Sequence, residues 1–361
     1  MKESEEERSQ VQNQESFEEE ICKYNPLVEV LVHPNLEVCT ILLELSLEKM
    51  GSVAKIFDAY EQAIPLIGSL IKKSPNFVGN QIFPLFHQNK TATQILKELV
   101  SIHQGNIHTL LFKDFVSSIV NSPEHYNPTD ENTLSNLTLL VKTTCESWAS
   151  TVNQIPKFFV YISHLLNEHF KIVRSLSSIF HFFVLLPALN DPALYNLCNK
   201  SSINPNVTKV LEYSCKYWEF VIYGQKFTTE DFSSHLNSQV ELSNPIVLNF
   251  YNLILSEEKS FEKICDFDGV FNNELPQLES YLCNNYHQIS LLLIERMAKD
   301  KLFSLSDALA SLKRNEDEPK DTKNNKSNRP NDLIVITNLK NCGDVVKLIF
   351  LFYFYFIFIL F

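Results

Sequence analysis

Between Thr133 and Asn153 six residues, Leu134, Leu137, Val141, Cys145, Trp148 and Val152, recur at steps of three, four, four, three and four. An α-helix puts residues so spaced on one side, and six in line make a stripe that has to be buried. The same period runs through most of the chain from Pro26 to about residue 300, where Leu, Ile, Phe, Lys and Glu recur at helical intervals. Seven glycines in 361 residues, with few alternating β-branched runs, leave little material for a sandwich or a doubly wound sheet. An all-α fold is expected.

The periodic region is interrupted at Ser74-Pro75, Gln104-Gly105, Asn121 to Asp130, Ile155-Pro156 and Asn204-Pro205. A further helix is expected to start at Thr91, whose hydroxyl can cap the amide of Gln94 while Gln94 reaches back, ahead of Ile95, Leu96 and Leu99. Residues 1–24 hold eight glutamates, the last of them Glu20, and little apolar surface, so they read as a disordered acidic tail. The stretch 313–345 is polar and charged and reads as a linker. Together these bounds predict a single elongated helical domain over 25–312.

The net charge is −12, of which residues 1–20 supply −6. With no basic stripe carrying interleaved aromatics, a nucleic-acid partner is excluded from the reading. Eight cysteines are scattered without a CxxC pair, and the acidic N-terminus is unlike a signal peptide, so a reducing, cytoplasmic setting is expected. His164 and His169 lack the H-E-x-x-H arrangement, and neither a phosphate loop nor a hydrolase elbow occurs, so no metal or cofactor is expected. Asp266 and Asp268 read as a solvated loop.

The last residues, Leu348 to Phe361, are fourteen apolar or aromatic side chains behind Lys347. As a helix they would reach about 21 Å, short of the roughly 30 Å hydrocarbon core of a bilayer. A tail dipping into a membrane is one reading; an aggregation-prone strand, or an accident of where the chain ends, is the other.

The segment Leu85-Phe86-His87-Gln88-Asn89-Lys90-Thr91-Ala92-Thr93-Gln94 resembles the finger-loop motif of Ras GTPase-activating domains, L-F-R-x-N-x-x-A-T-K, at five of its seven fixed positions. Further partial matches follow in the family's order. Tyr126-Asn127-Pro128 sits where the family has an acidic residue and Asp-Pro, and His181 to Pro192 resembles F-L-R-F-I-C-P-A-I-L-N-P, with Pro187, Ala188 and Pro192 in register. Thr208-Lys209-Val210-Leu211, Tyr223-Gly224-Gln225-Lys226 and Leu236-Asn237 resemble later motifs, so the resemblance covers roughly residues 26 to 300. It implies an all-helical domain that binds a Ras-family small GTPase in its GTP form. The contact positions carried over are Phe86, His87, Asn89, Thr93, Phe183, Pro187, Ala188 and Lys209.

The departures bear on chemistry. In the family a finger arginine neutralises charge in the GTP-hydrolysis transition state, worth roughly 10³ to 10⁵ in rate, or about 4 to 7 kcal/mol. Here His87 holds that position, and imidazole is shorter, mostly neutral near pH 7 and without a forked donor set. The second family arginine, which steadies the finger loop, falls on Phe183, which has no donors. Glu212 and Cys215-Lys216 replace a family glutamine and Ala-Asn, adding charge to the expected binding groove. Within the folded region only Arg174 and Arg296 could act as a relocated finger. The expectation is therefore a GTPase-binding module with weak or no stimulation. The alternatives are an activator drawing charge from His87, Lys90 or Arg174, and a helical scaffold tethered by its aromatic tail.

Overall fold

A computed structural model describes residues 23–33, 35–73, 90–128, 130–228 and 236–316. The chain divides into two compact units, Met1–Leu312 and Lys313–Phe361, and the first carries the helical body. The acidic stretch 1–22, the finger segment from residue 74 through His87 to Asn89, and the linker and aromatic tail beyond Glu316 lie outside the described residues.

Among the described residues the regular structure is helical throughout, so the fold is all-α. A first helix, α1, spans 23–31. It is followed by α2 (Glu37–Leu45), α3 (Lys49–Ala59), α4 (Ala63–Lys73), α5 (Lys90–His103) and α6 (Ile107–Asn121). After a short 3₁₀ turn come α7 (Glu131–Trp148) and α8 (Lys157–Phe170). A composite rod follows: a 3₁₀ turn at Val173–Leu176, α9 (Ser177–Phe180), a π-helical stretch at His181–Leu185 and α10 (Leu186–Asn190). The body is completed by α11 (Pro205–Tyr223), α12 (Asn237–Ser256), α13 (Phe267–Gly269), α14 (Leu275–Asn284), α15 (Tyr286–Glu295) and α16 (Lys299–Glu316).

The stripe on α7 is buried along its whole length, from Leu134 to Val152. It faces α6 and α12. At its centre the indoles of Trp148 and Trp218 stack at 5.1 Å and 11°, with Phe112 set edge-on to both. Trp148 Nε1 donates to the carbonyl of Leu111 at 3.0 Å, so the larger of the burials also satisfies its one polar atom. Each such side chain contributes on the order of 1.5–3 kcal/mol through burial.

Helix ends follow the breaks read in the sequence where those breaks are described. Gly105 takes φ +50 between α5 and α6, Pro156 precedes α8, and Asn204 caps α11 by accepting from the amides of Asn206 and Val207 at 3.0 Å. Gly224 closes α11 at φ +60, and a β-carbon there would sit 2.7 Å from Asn244 Oδ1, so both conformation and space require glycine.

Two expectations are corrected. Thr91 does not cap α5: the helix already includes Lys90, the Thr91 hydroxyl donates to Thr40 Oγ1 at 2.9 Å, and Gln94 Nε2 donates to Glu98 Oε1 at 2.8 Å. The competing partner is tertiary, since Thr40 on α2 accepts from Thr91 while its own hydroxyl donates to the carbonyl of Leu36 at 2.8 Å. Tyr24, placed in the acidic tail by composition, is instead buried: its hydroxyl donates to Glu279 Oε2 at 3.2 Å and its ring meets Phe271 at 5.2 Å.

The rod from Val173 to Asn190 is the one stretch among the described residues long and apolar enough to cross a membrane, yet 67% of it is buried in the fold. Apolar on nearly every side, it is the inner helix of the body, packed on α6 and α11.

Candidate functional site

Two helical stretches that carry separate pieces of the sequence pattern come together at one groove of about 320 Å³. One wall is α5, the helix that continues Ala92-Thr93, which contributes Lys97, Val100 and Ser101, with Gln104 just past its end. These stand at i, i+3, i+4 and i+7, a single stripe on one side of a helix. The other wall is the rod, which contributes Phe182, Phe183, Leu186, Pro187 and Asn190, with Tyr195 closing one end. The π-helical stretch sits at this wall, and such insertions recur where a helix is shaped by something other than its own hydrogen bonds.

The wall is braced from behind by α6. His108 is buried, and its Nε2 donates to the main-chain carbonyl of Phe183 at 3.0 Å. Its ring lies 4.0 Å from that of Tyr195. Burial pushes the His108 imidazole down to about 4, against a smaller upward pull from the Phe183 carbonyl, so it is neutral near pH 7 with its proton on Nε2. His181, on the rod, is also pushed down to about 4 by burial, and its Nδ1 lies 3.3 Å from the hydroxyl of Tyr223. Tyr195, which also lines the groove, is held above the usual phenol range by burial and then by Asp191, so its hydroxyl keeps its proton.

The residues singled out by sequence fall into distinct environments. Thr93, Phe183 and Ala188 are buried, with Phe183 only 5% exposed; Pro187 is half-buried and Lys209 is exposed. Phe183 thus stands as a wall residue of the core. Phe86, His87 and Asn89 lie outside the described residues. Asn237, from the Leu236-Asn237 pattern, clamps Phe227 at both ends of its peptide unit: Oδ1 accepts from the Phe227 amide at 2.7 Å and Nδ2 donates to its carbonyl at 3.0 Å. That residue holds a turn together.

Of the two arginines that could supply a relocated charge, Arg296 is held by Glu44. Arg174 lies on the turn that opens the rod, nine residues before Phe183, where the chain packs against α8 and α12. The cation at the groove is Lys97, which has no ion-pair partner among the described residues. Sequence reasoning passed over Lys97, Ser101, Gln104, Asn190 and Tyr195. The α5 stripe is visible as helical spacing, but nothing in the spacing says that the rod lies opposite.

No group of metal-binding side chains occurs among the described residues. Burial holds the thiols of Cys39, Cys145 and Cys215 above their usual range, so these are poor nucleophiles. Asp58, His103 and Cys265 do meet in the interior, where the amides of Ile264 and Cys265 donate to Asp58 Oδ2 at 2.9 and 2.8 Å. The Cys265 thiol is pushed up to about 12, by burial first and then by Asp58, which makes that trio a structural knot. No family's sequence profile matches this chain, and no curated protein matches it.

Proposed function

We propose that this chain binds a Ras-family small GTPase in its GTP form across the face that carries the α5–rod groove, with weak or no stimulation of hydrolysis. The supporting observation is the convergence of two motif segments. The helix that continues the finger-loop pattern and the rod that carries His181 to Ala188, some ninety residues apart in sequence, form opposite walls of one groove. A fortuitous pair of short motifs has no reason to share a surface.

The charge balance favours binding over catalysis. A loose phosphoryl-transfer transition state needs a forked cation at the transferring phosphate. The groove offers one ammonium, Arg296 is engaged by Glu44, and Phe183 presents no donor. Glu212 and Lys216, exposed on α11, are opposite charges one turn apart and supply no net positive field.

Capture of GTP-loaded against GDP-loaded Ras-family proteins tests the reading, together with single-turnover GTP hydrolysis. Preferential capture of the GTP form with less than about tenfold acceleration is expected. Equal or absent capture in both nucleotide states removes the GTPase. Acceleration by three or more decades that disappears in His87→Ala makes the protein an activator instead.

A further inference from the structure

We infer that Lys97 heads a recognition groove for an acidic–apolar segment of the partner protein, in which one carboxylate pairs with Lys97 and the following apolar side chain lies on Phe182, Leu186 and Pro187. The inference rests on the GTPase reading for the partner's identity, and on the groove alone for its chemistry. Lys97 is exposed, while Val100 beside it is buried and forms floor. From Lys97 to Gln104 the α5 wall is about 10 Å long at roughly 1.5 Å per residue. An extended segment covers that length in about three residues at roughly 3.3 Å each. The groove is thus lined by the ammonium of Lys97, the hydroxyl of Ser101, the amides of Gln104 and Asn190, and apolar Val100, Phe182, Leu186 and Pro187.

The chemistry selects a carboxylate over a phosphate. A phosphate group is bound by several converging donors, such as forked guanidiniums or the free amides of a helix N-terminus. Lys97 stands in the middle of α5, and α10 continues directly from the π-helical stretch, so no helix N-terminus opens into the groove. One ammonium with neighbouring hydroxyl and amide groups matches one carboxylate and its flanking main chain. No ion pair to Lys97 occurs among the described residues, and Glu98, its neighbour in sequence, accepts from Gln94 Nε2 at 2.8 Å. A cation left unpaired over an apolar floor complements an acidic side chain with an apolar neighbour, and such pairs set specificity and on-rate more than raw affinity.

The test has two arms on the full chain. In the first, Lys97→Glu is expected to weaken capture of the GTP-loaded partner at least tenfold and Lys97→Arg to leave it within about threefold, since reversal adds like-charge repulsion to the lost pair. Unchanged capture by Lys97→Glu overturns the inference and leaves the GTPase reading intact. In the second, lysines are ¹³C-methylated, the Lys97 signal is assigned from Lys97→Arg, and acetyl-Glu-Leu-Phe-Glu-amide is titrated against acetyl-Gln-Leu-Phe-Gln-amide. A Lys97 shift with the glutamate peptide alone supports the groove even where no GTPase is captured. No shift, or the same shift with both peptides, overturns it. A response seen only when the eight glutamates from Glu3 to Glu20 are all changed to Gln assigns the groove to the chain's own acidic stretch and equally overturns it.

Discussion

His108 Nε2 donates to the carbonyl of Phe183 at 3.0 Å, tying α6 to the π-helical stretch of the rod that walls the groove. The donor must be the protonated nitrogen, because a carbonyl only accepts, so the neutral ring has a fixed tautomer. This one bond sets where Phe183 and Tyr195 stand, since the same imidazole lies against the tyrosine ring.

Removing it should be costly. His108→Leu leaves a buried carbonyl short of a donor and is expected to lower stability by about 1–3 kcal/mol in urea unfolding. His108→Gln, whose amide can replace the donor, should recover part of that loss. Equal stability of the leucine variant and the parent would mean that the bond does not position the rod.

The same histidine gives a pH signature. Its folded value, about 4, lies below the ordinary 6.5, so the unfolded chain takes up a proton that the folded chain refuses. Stability is therefore complete above about pH 6.5 and falls as pH drops toward 4. His181, also pushed to about 4, acts in the same sense. At about 1.36 kcal/mol per unit, each contributes roughly 3 kcal/mol of loss over that interval. In His108→Gln the slope between pH 6.5 and 4 should be visibly shallower than in the parent; an identical slope would refute the assignment to this residue.

A second buried pair anchors the opposite side of α5. Asp58, fully buried, meets His103 Nε2 at 2.7 Å and accepts the amides of Ile264 and Cys265. Burial alone would raise its carboxyl; the hydrogen bond from His103 and the two amides outweigh that and hold it below the usual range. The stability it brings is thus present above its unfolded value and lost as pH falls below it. Asp58→Ala is expected to cost about 3 kcal/mol, because it leaves the buried donors of His103, Ile264 and Cys265 without their acceptor. Limited proteolysis should then cut first within 257–266, the loop it fastens. A loss under about 1 kcal/mol would show that the loop does not depend on it.

How much of this was legible in the sequence depends on whether the cause was local. The α7 stripe from Leu134 to Val152 was readable because period alone puts those residues on one side. The turns at Gly105, Pro156 and Pro205 were readable because proline and glycine act through their own backbones. The role of Thr91 was not, since its hydroxyl had a local partner on paper and a better one, Thr40, from another helix. The rod was opaque for a related reason. Phe182 to Leu186 is apolar all round, so no face could be assigned, and the π-helical stretch depends on what surrounds it. The groove is tertiary entirely: Lys97 and Asn190 lie on different elements, and only packing brings them together. Of the site positions, Phe183 was named for a missing charge, yet its side chain belongs to the core.

The aromatic centre gives a spectroscopic check on the packing. Trp148 and Trp218 stack at 5.1 Å and 11° with Phe112 edge-on. Two parallel indoles at that distance should produce a coupled pair of bands in ultraviolet circular dichroism, and either Trp148→Phe or Trp218→Phe should abolish it. Phe112→Ala should cost about 3–5 kcal/mol, as for other buried phenylalanines. A spectrum that is the sum of the two single variants would rule out the stacked geometry.

On the proposed GTPase reading, introducing arginine separates positions 87 and 183. At position 183 the side chain is 5% exposed and forms the groove wall, so Phe183→Arg desolvates a guanidinium and opens a hole in the core. It should lower the urea midpoint clearly and do little for hydrolysis. On the same reading, His87→Arg supplies the forked cation that a phosphoryl-transfer transition state uses. With a GTPase that the unsubstituted chain captures, His87→Arg alone is expected to accelerate single-turnover hydrolysis by at least about tenfold. Adding Phe183→Arg should not improve on it. A double variant as stable as the parent and far faster than His87→Arg would show that position 183 can hold a cation and that a charge placed on the rod adds to one placed at position 87.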